Sequence, residues 1–61
     1  MEHLIYQLER PELMLASIEG EQVTDNEDQA LIFESKDVAL KVIDTLSGTT
    51  SFWGTRPPRP R

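Results

Sequence analysis

The 61-residue sequence contains no cysteine and has no long hydrophobic run. The absence of cysteine excludes a disulfide framework and any zinc or iron–sulfur site with thiolate ligands. No apolar segment approaches the roughly 20 residues that a membrane-spanning helix needs. The N-terminus also lacks the basic start and apolar core of a signal peptide. These absences predict a soluble, cytoplasmic protein without a membrane anchor.

Groups suited to catalysis are also scarce. The one histidine, His3, lies near the N-terminus, whereas nucleophilic catalysis needs a base held beside the nucleophile. The three glycines are too far apart to form a phosphate-binding loop, and residues 21–28 lack the glycine of an EF-hand calcium loop. Paired carboxylates act as acid and base only in a cleft that separates their pKa values. We therefore expect no enzymatic activity, no metal and no cofactor.

The charge is distributed unevenly along the chain. There are 11 acidic and 6 basic residues, which gives a net charge of −5. All 11 acidic residues lie within residues 1–54, where the bases are Arg10, Lys36 and Lys41, so this part carries 3 − 11 = −8. The remaining seven residues carry +3. Because the acidic part repels nucleic acid phosphates, we expect a protein partner with a basic surface and no direct binding of nucleic acid.

Strand-like patterns begin near the N-terminus. Residues 3–8 place Leu4, Tyr6 and Leu8 on one side, which is the two-residue period of a β-strand. Pro11 interrupts this pattern because proline has no N–H to donate to a sheet. The apolar residues 13–18 follow and predict a second strand.

The middle of the chain predicts a hairpin, an acidic loop and a fourth strand. Gly20 can adopt the positive φ of a tight turn, and residues 22–24 then form the returning strand. Residues 25–28 are Asp-Asn-Glu-Asp, which is typical of an exposed turn. The compact apolar run 30–33 has the length of a strand.

A helix is predicted over residues 36–47. Ser35 is a favourable N-cap, and Gly48 a favourable C-terminal cap. Between them, apolar side chains recur at three- and four-residue spacing, which indicates one buried stripe: Val38, Ala39, Val42, Ile43 and Leu46. An alternative is a single helix of about twenty residues starting near residue 26. The apolar run 30–33 would surround such a helix, and Ser35 would lie in its middle.

These elements predict an α+β fold in which an antiparallel sheet of three to four short strands packs one face against a single C-terminal helix. Residues 1–48 are expected to form one compact domain. Residues 49–61 contain a proline run, which favours an extended conformation, and are expected to form a flexible linker and basic tail. Within them, Phe52 and Trp53 are either exposed interface anchors, or Trp53 closes the core.

The carboxylates predict a partner-binding face, because a dense acidic field can steer association with a basic protein surface. Its residues are Glu19, Glu21, Asp25, Glu27, Asp28, Glu34, Asp37 and Asp44. A second predicted contact set lies in the tail and comprises Phe52, Trp53, Arg56, Arg59 and Arg61.

The resulting hypothesis is a small acidic protein-binding module. In size and charge the chain looks like the acidic inhibitors that phages direct against host nucleases or CRISPR complexes. Two alternatives remain open. One is a structural or assembly protein that forms a homodimer or joins a larger particle, and the other is an antitoxin-like chain that folds on its partner.

Overall fold

A computed structural model describes residues 1–59 and confirms the α+β class. Four strands form one antiparallel sheet in the spatial order β3-β2-β1-β4. In chain order the elements are β1 (Leu4–Gln7), β2 (Met14–Ser17), β3 (Gln22–Thr24), α1 (Lys36–Ile43), α2 (Thr49–Phe52) and β4 (Trp53–Arg56). Two short 3-10 turns, Glu19–Glu21 and Glu27–Gln29, flank β3 on either side. Within the part of the chain that the structure describes, no helix is both long enough and apolar enough to cross a membrane.

The first three predicted strands are confirmed. Tyr6 of β1 pairs with Met14 of β2, and Leu15 of β2 pairs with Val23 of β3. Gly20 has the expected positive φ of 75°, but it lies in a 3-10 turn and not in a two-residue hairpin. The connection between β2 and β3 is therefore longer than a two-residue turn. The pairing of the two strands shifts register between Leu15 and Ser17, which accommodates this connection.

The predicted strand at residues 30–33 is wrong. This segment instead fills the opening between the diverging ends of β1 and β2. The Leu31 N–H donates to the Leu15 carbonyl at 2.9 Å. Phe33 exchanges two backbone hydrogen bonds with His3, at 2.8 and 3.0 Å. The apolar run is therefore used to close one end of the sheet, with Ala30 buried and Leu31 and Phe33 packed against the core.

The fourth strand comes from the segment that was expected to be a flexible linker. Residues 49–56 form α2 and β4, and β4 pairs with β1 from Leu4–Arg56 to Gln7–Trp53. The Thr55 hydroxyl also donates to the Leu4 carbonyl at 2.9 Å. The helix α1 is consequently not the last element, and the compact fold extends beyond residue 48. The composition of residues 49–56 could not predict the strand, because β4 is stabilised by pairing with β1, which lies about fifty residues earlier in the chain.

The helix begins where the sequence predicts and ends earlier. The Ser35 hydroxyl accepts a hydrogen bond from the Val38 N–H at 3.3 Å, as an N-cap does. Regular α-helix ends at Ile43, after which the chain tightens into turns through Leu46. The alternative of one long helix is wrong, because Asn26 caps a separate 3-10 turn and Ala30 is extended.

Two apolar clusters occupy opposite faces of the sheet, because successive residues of a strand point to opposite sides. The larger cluster lies between the sheet and α1 and contains Ile5, Leu15, Ala39, Ile43, Leu46 and Trp53. The smaller cluster lies on the other face and contains Leu4, Met14 and Ala30, with Tyr6 packed against it. The helix therefore covers one face of the sheet and leaves the second face to other parts of the chain.

Candidate protein-binding surface

Five of the eight predicted acidic residues lie along one edge of the sheet. We call residues 19–28 the acidic edge, since they comprise the outermost strand β3 and the turns that flank it. Its acidic residues are Glu19, Glu21, Asp25, Glu27 and Asp28. A three-residue strand is about 10 Å long, so the two ends of this acidic edge are close together. No basic residue occurs between Arg10 and Lys36 in the sequence.

The backbone of β3 is exposed at this edge. The Leu15 carbonyl accepts from Leu31, so the Leu15–Val23 pair is not bonded across the ladder. Because backbone groups alternate in an antiparallel pair, the N–H and C=O of Val23 point away from the sheet. The Val23 side chain is exposed as well. The acidic edge thus combines a short exposed strand with carboxylates at both of its ends.

Glu21 has a structural contact. Its backbone adopts a positive φ of 50°, and its side chain is half-buried. One carboxylate oxygen accepts from the Ser47 hydroxyl at 2.9 Å and from the Ser47 N–H at 3.3 Å. The Ser47 carbonyl in turn accepts from the Trp53 indole N–H at 2.8 Å. Glu21 therefore ties the acidic edge to the loop after α1, which limits its availability to a partner.

Glu27 holds the C-terminal segment. Its Oε1 lies 2.9 Å from Nη2 of Arg56, and its Oε2 accepts from the Arg59 backbone N–H at 3.1 Å. The hydrogen bond from Arg56 is the main reason that the pKa of Glu27 lies below its usual value of 4.5, while partial desolvation opposes this effect. Glu27 therefore joins the acidic edge to Arg56 and to the backbone of Arg59.

The remaining acidic residues lie either within the acidic edge or outside it. Within it, Glu19 and Asp25 are exposed, and their side chains make no hydrogen bond or ion pair with residues 1–59. Asp28 is also exposed. Outside the acidic edge, Glu34 lies in the loop before α1.

Asp37 and Asp44 lie on the exposed side of α1. Lys36 and Lys41 share that side of the helix, with Lys41 four residues after Asp37. The helix surface is therefore mixed in charge and does not continue the acidic field.

The predicted aromatic anchors lie in and against the core. Trp53 is only 3% exposed, which contradicts its role as an exposed anchor and agrees with the alternative of core closure. Phe52 is half-buried and makes an edge-to-face contact with Trp53, with ring centroids 5.1 Å apart. Arg59 is exposed, and Arg61 lies outside the described residues. The small polar residues around the pair are typical of a linker, so the sequence alone did not decide between an exposed anchor and core closure.

The described residues contain no cluster of three or more side chains suited to holding a metal ion. Comparison of the chain with protein-family models, with curated proteins and with solved structures finds no match in any of the three. The function is therefore argued from the geometry of the surface.

Proposed function

We propose that this protein is a non-enzymatic binding module whose acidic edge docks on a basic surface of another protein. The observation that supports it is the concentration of charge around an exposed strand. Residues 11–35 contain seven acidic residues and no base. Glu19 and Asp25 project from this stretch without any partner among residues 1–59. A field of this kind raises the association rate with a basic surface and aligns the two partners.

A partner surface of this chemistry is the kind that binds nucleic acid. An acidic protein that occupies such a surface would exclude the phosphate backbone, which is the mode of action of small phage inhibitors of nucleases or CRISPR complexes. Size and charge support this extension of the proposal. The exposed Val23 backbone adds a second source of specificity, because a partner strand can pair with an exposed sheet edge.

The alternatives receive less support. If two copies paired through β3, their acidic residues would lie side by side, and like charges opposite each other are destabilising. The other edge strand, β4, is followed by Pro57 and Pro58, which cannot donate to a further strand. An antitoxin-like chain is expected to have a tail that orders on its partner, whereas residues 49–52 form α2 and residues 53–56 belong to the sheet.

The proposal is tested by capture from cell lysate with two matched double variants. E19Q/D25N removes two charges from the acidic edge, and D37N/D44N removes two charges from the mixed surface of α1. We expect the wild type and D37N/D44N to retain the same basic protein, identified by mass spectrometry, and E19Q/D25N to lose it. Capture is also expected to fall as salt rises, because the screening length shrinks from about 10 Å at 0.1 M to about 3 Å at 1 M.

Two outcomes contradict the proposal. Equal capture by both double variants would mean that the acidic edge is not the contact surface, and capture that survives 1 M salt would mean that charge does not drive binding. A third outcome points to another role. If E19Q/D25N instead self-associates during sedimentation, the carboxylates serve to keep the exposed strands of separate copies apart.

A further inference from the structure

The second face of the sheet carries a cleft that the C-terminal segment helps to line. The cleft has a volume of about 430 Å³. Its walls include Glu12, Met14, Asp25 and Glu27, together with Arg56 and Arg59 of the C-terminal segment. Helix α1 packs on the opposite face of the sheet, so it gives this face no cover.

Glu27 fixes the segment at two points. The side chain of Arg56 binds one carboxylate oxygen at 2.9 Å, and the backbone of Arg59 donates to the other at 3.1 Å. Between these points the chain is Pro57 and Pro58, whose fixed φ angles keep it extended. Two anchors on one carboxylate, joined by a stiff spacer, hold the Arg56 side chain and residues 57–59 as a strap along one wall of the cleft.

The strap covers Met14. The Arg56 guanidinium lies 3.6 Å from the Met14 sulfur, and Met14 is 4% exposed. Only Leu4 and Ala30 are buried beside it on this face, while Tyr6 is half-buried and Leu8 is exposed. The cluster on this face is small, and the Arg56 guanidinium contributes directly to the shielding of the Met14 sulfur.

We propose that the Arg56 side chain and residues 57–59 act as an electrostatic strap that shields Met14 while Glu27 holds it, and uncovers Met14 when Glu27 releases it; the Arg56 backbone stays paired in β4. This proposal does not depend on the acidic edge binding a partner. It assigns Arg56 and Arg59, two of the three tail arginines, a role within the molecule, as a closure that ionic strength or a competing basic group can open.

The charges around Glu27 set how firmly the strap is held. Four other carboxylates line the cleft and a neighbouring hollow: Glu12, Asp25, Glu2 and Asp28. They add to the negative charge of the region. Both partners of the ion pair are partly exposed, so added salt screens the pair. The hydrogen bond from Arg56 lowers the pKa of Glu27, so the carboxylate stays charged, and the strap held, to a lower pH than an ordinary glutamate would allow.

Oxidation by hydrogen peroxide tests the strap in the full chain, because the protein has only two methionines. Met1 is 89% exposed and serves as an internal reference, while Met14 reports on the strap. The test variant is E27Q, and E12Q is the matched control, since Glu12 lines the same cleft and forms no hydrogen bond or ion pair with Arg56 or Arg59. The rate of Met14 sulfoxide formation relative to Met1 is measured by peptide mass spectrometry.

We expect Met14 to oxidise much more slowly than Met1 in the wild type, and E27Q to raise its relative rate several-fold. E12Q should leave the rate unchanged, and salt should raise it in the wild type more than in E27Q. The proposal is overturned if Met14 is equally protected in folded E27Q, or if E12Q has as large an effect as E27Q. Trp53 fluorescence reports whether each variant is folded.

A second measurement decides the question even if E27Q does not fold. Arg59 is the one residue in 57–60 with a backbone N–H, because the other three are prolines. In a 15N NMR titration of the wild type, its amide should shift as Glu27 is protonated, with a midpoint below 4.5. An Arg59 amide that stays at a random-coil position throughout would overturn the proposal.

Discussion

Gly54 leaves the space into which the side chains of Tyr6 and Leu8 pack against the last strand. It lies opposite Tyr6 across the β1–β4 pair. A Cβ atom at this position would lie 2.8 Å from both Tyr6 Cζ and Leu8 Cδ2, which is too close for carbon atoms. The tyrosine ring therefore packs directly over the glycine, and the absence of a side chain creates the space for it. The requirement is one of volume, because the φ of Gly54 is not positive.

We expect Gly54→Ala to lower the free energy of unfolding by about 1–3 kcal/mol, the usual cost of overpacking. Urea unfolding followed by Trp53 fluorescence measures the change. Gly20→Ala is the control for volume, since a Cβ there would meet only Gln22 Cγ at an ordinary 3.9 Å, and its positive φ is what opposes the substitution. If Gly54→Ala unfolds at the wild-type midpoint, Tyr6 and Leu8 move aside without cost and the close packing is not required.

At the scale of elements, the residues of the predicted apolar stripe of α1 are buried to different extents. Ile43 is fully buried between the helix and the sheet, whereas Val42 beside it is half-buried. Both belong to the stripe that the sequence predicts. The structure distinguishes them, because only Ile43 is enclosed by the buried cluster that includes Ile5, Leu15 and Trp53.

Ile43→Asp should therefore abolish folding, because it places an unpaired charge in an apolar seam. Val42→Asp should lower the midpoint while leaving a folded protein, since its carboxylate can reach water. Circular dichroism during thermal unfolding compares the two. A cooperative transition at the wild-type midpoint in Ile43→Asp would show that this residue does not lie in the core.

The elements that could be predicted from sequence are those fixed by neighbouring residues. The period of β1, the turn at Gly20 and the Ser35 cap are local signals, and all three are present in the structure. β4 could not be predicted, because its partner is distant and its sequence carries glycine and precedes prolines. Residues 30–33 were wrongly predicted to be a strand, because a short apolar run can fill a gap between strands as readily as it can form a strand.

The same distinction applies to the candidate surface. The acidic residues around β3 could be identified from their density, and their exposure at Glu19 and Asp25 agrees with that expectation. The internal contacts of Glu21 and Glu27 could not be identified from the sequence, because their partners Ser47 and Arg56 lie 26 and 29 residues away. The sequence therefore does not show which carboxylates already bind a group within the protein.

At the scale of the whole molecule, the last strand completes the fold. β4 gives β1 its second neighbour, and Trp53 joins the larger cluster as its one aromatic buried residue. A chain of about 60 residues buries only about 60% of the surface that it exposes when unfolded, so it has little stability to lose. Removing a buried tryptophan typically costs about 3–5 kcal/mol.

Truncation tests this dependence. We expect the chain 1–48 to give the circular dichroism of an unfolded polypeptide, and the chain 1–56 to unfold cooperatively. The second chain keeps β4 with the Arg56–Glu27 ion pair and loses the Arg59 anchor, so it separates the contribution of the strand from that of the residues that follow it. Cooperative unfolding of 1–48 would show that the first 48 residues form a domain by themselves and that β4 is an addition to it.

The pairing of Leu4 with Arg56 also determines where the two ends of the described chain leave the sheet. Residues opposite each other in an antiparallel pair have Cα atoms about 5 Å apart, so β1 starts beside the point at which β4 stops. A fluorescent protein or affinity tag fused to either end is therefore tethered on the same side of the molecule. A short linker between those ends would close the backbone into a ring, with the order of the four strands unchanged.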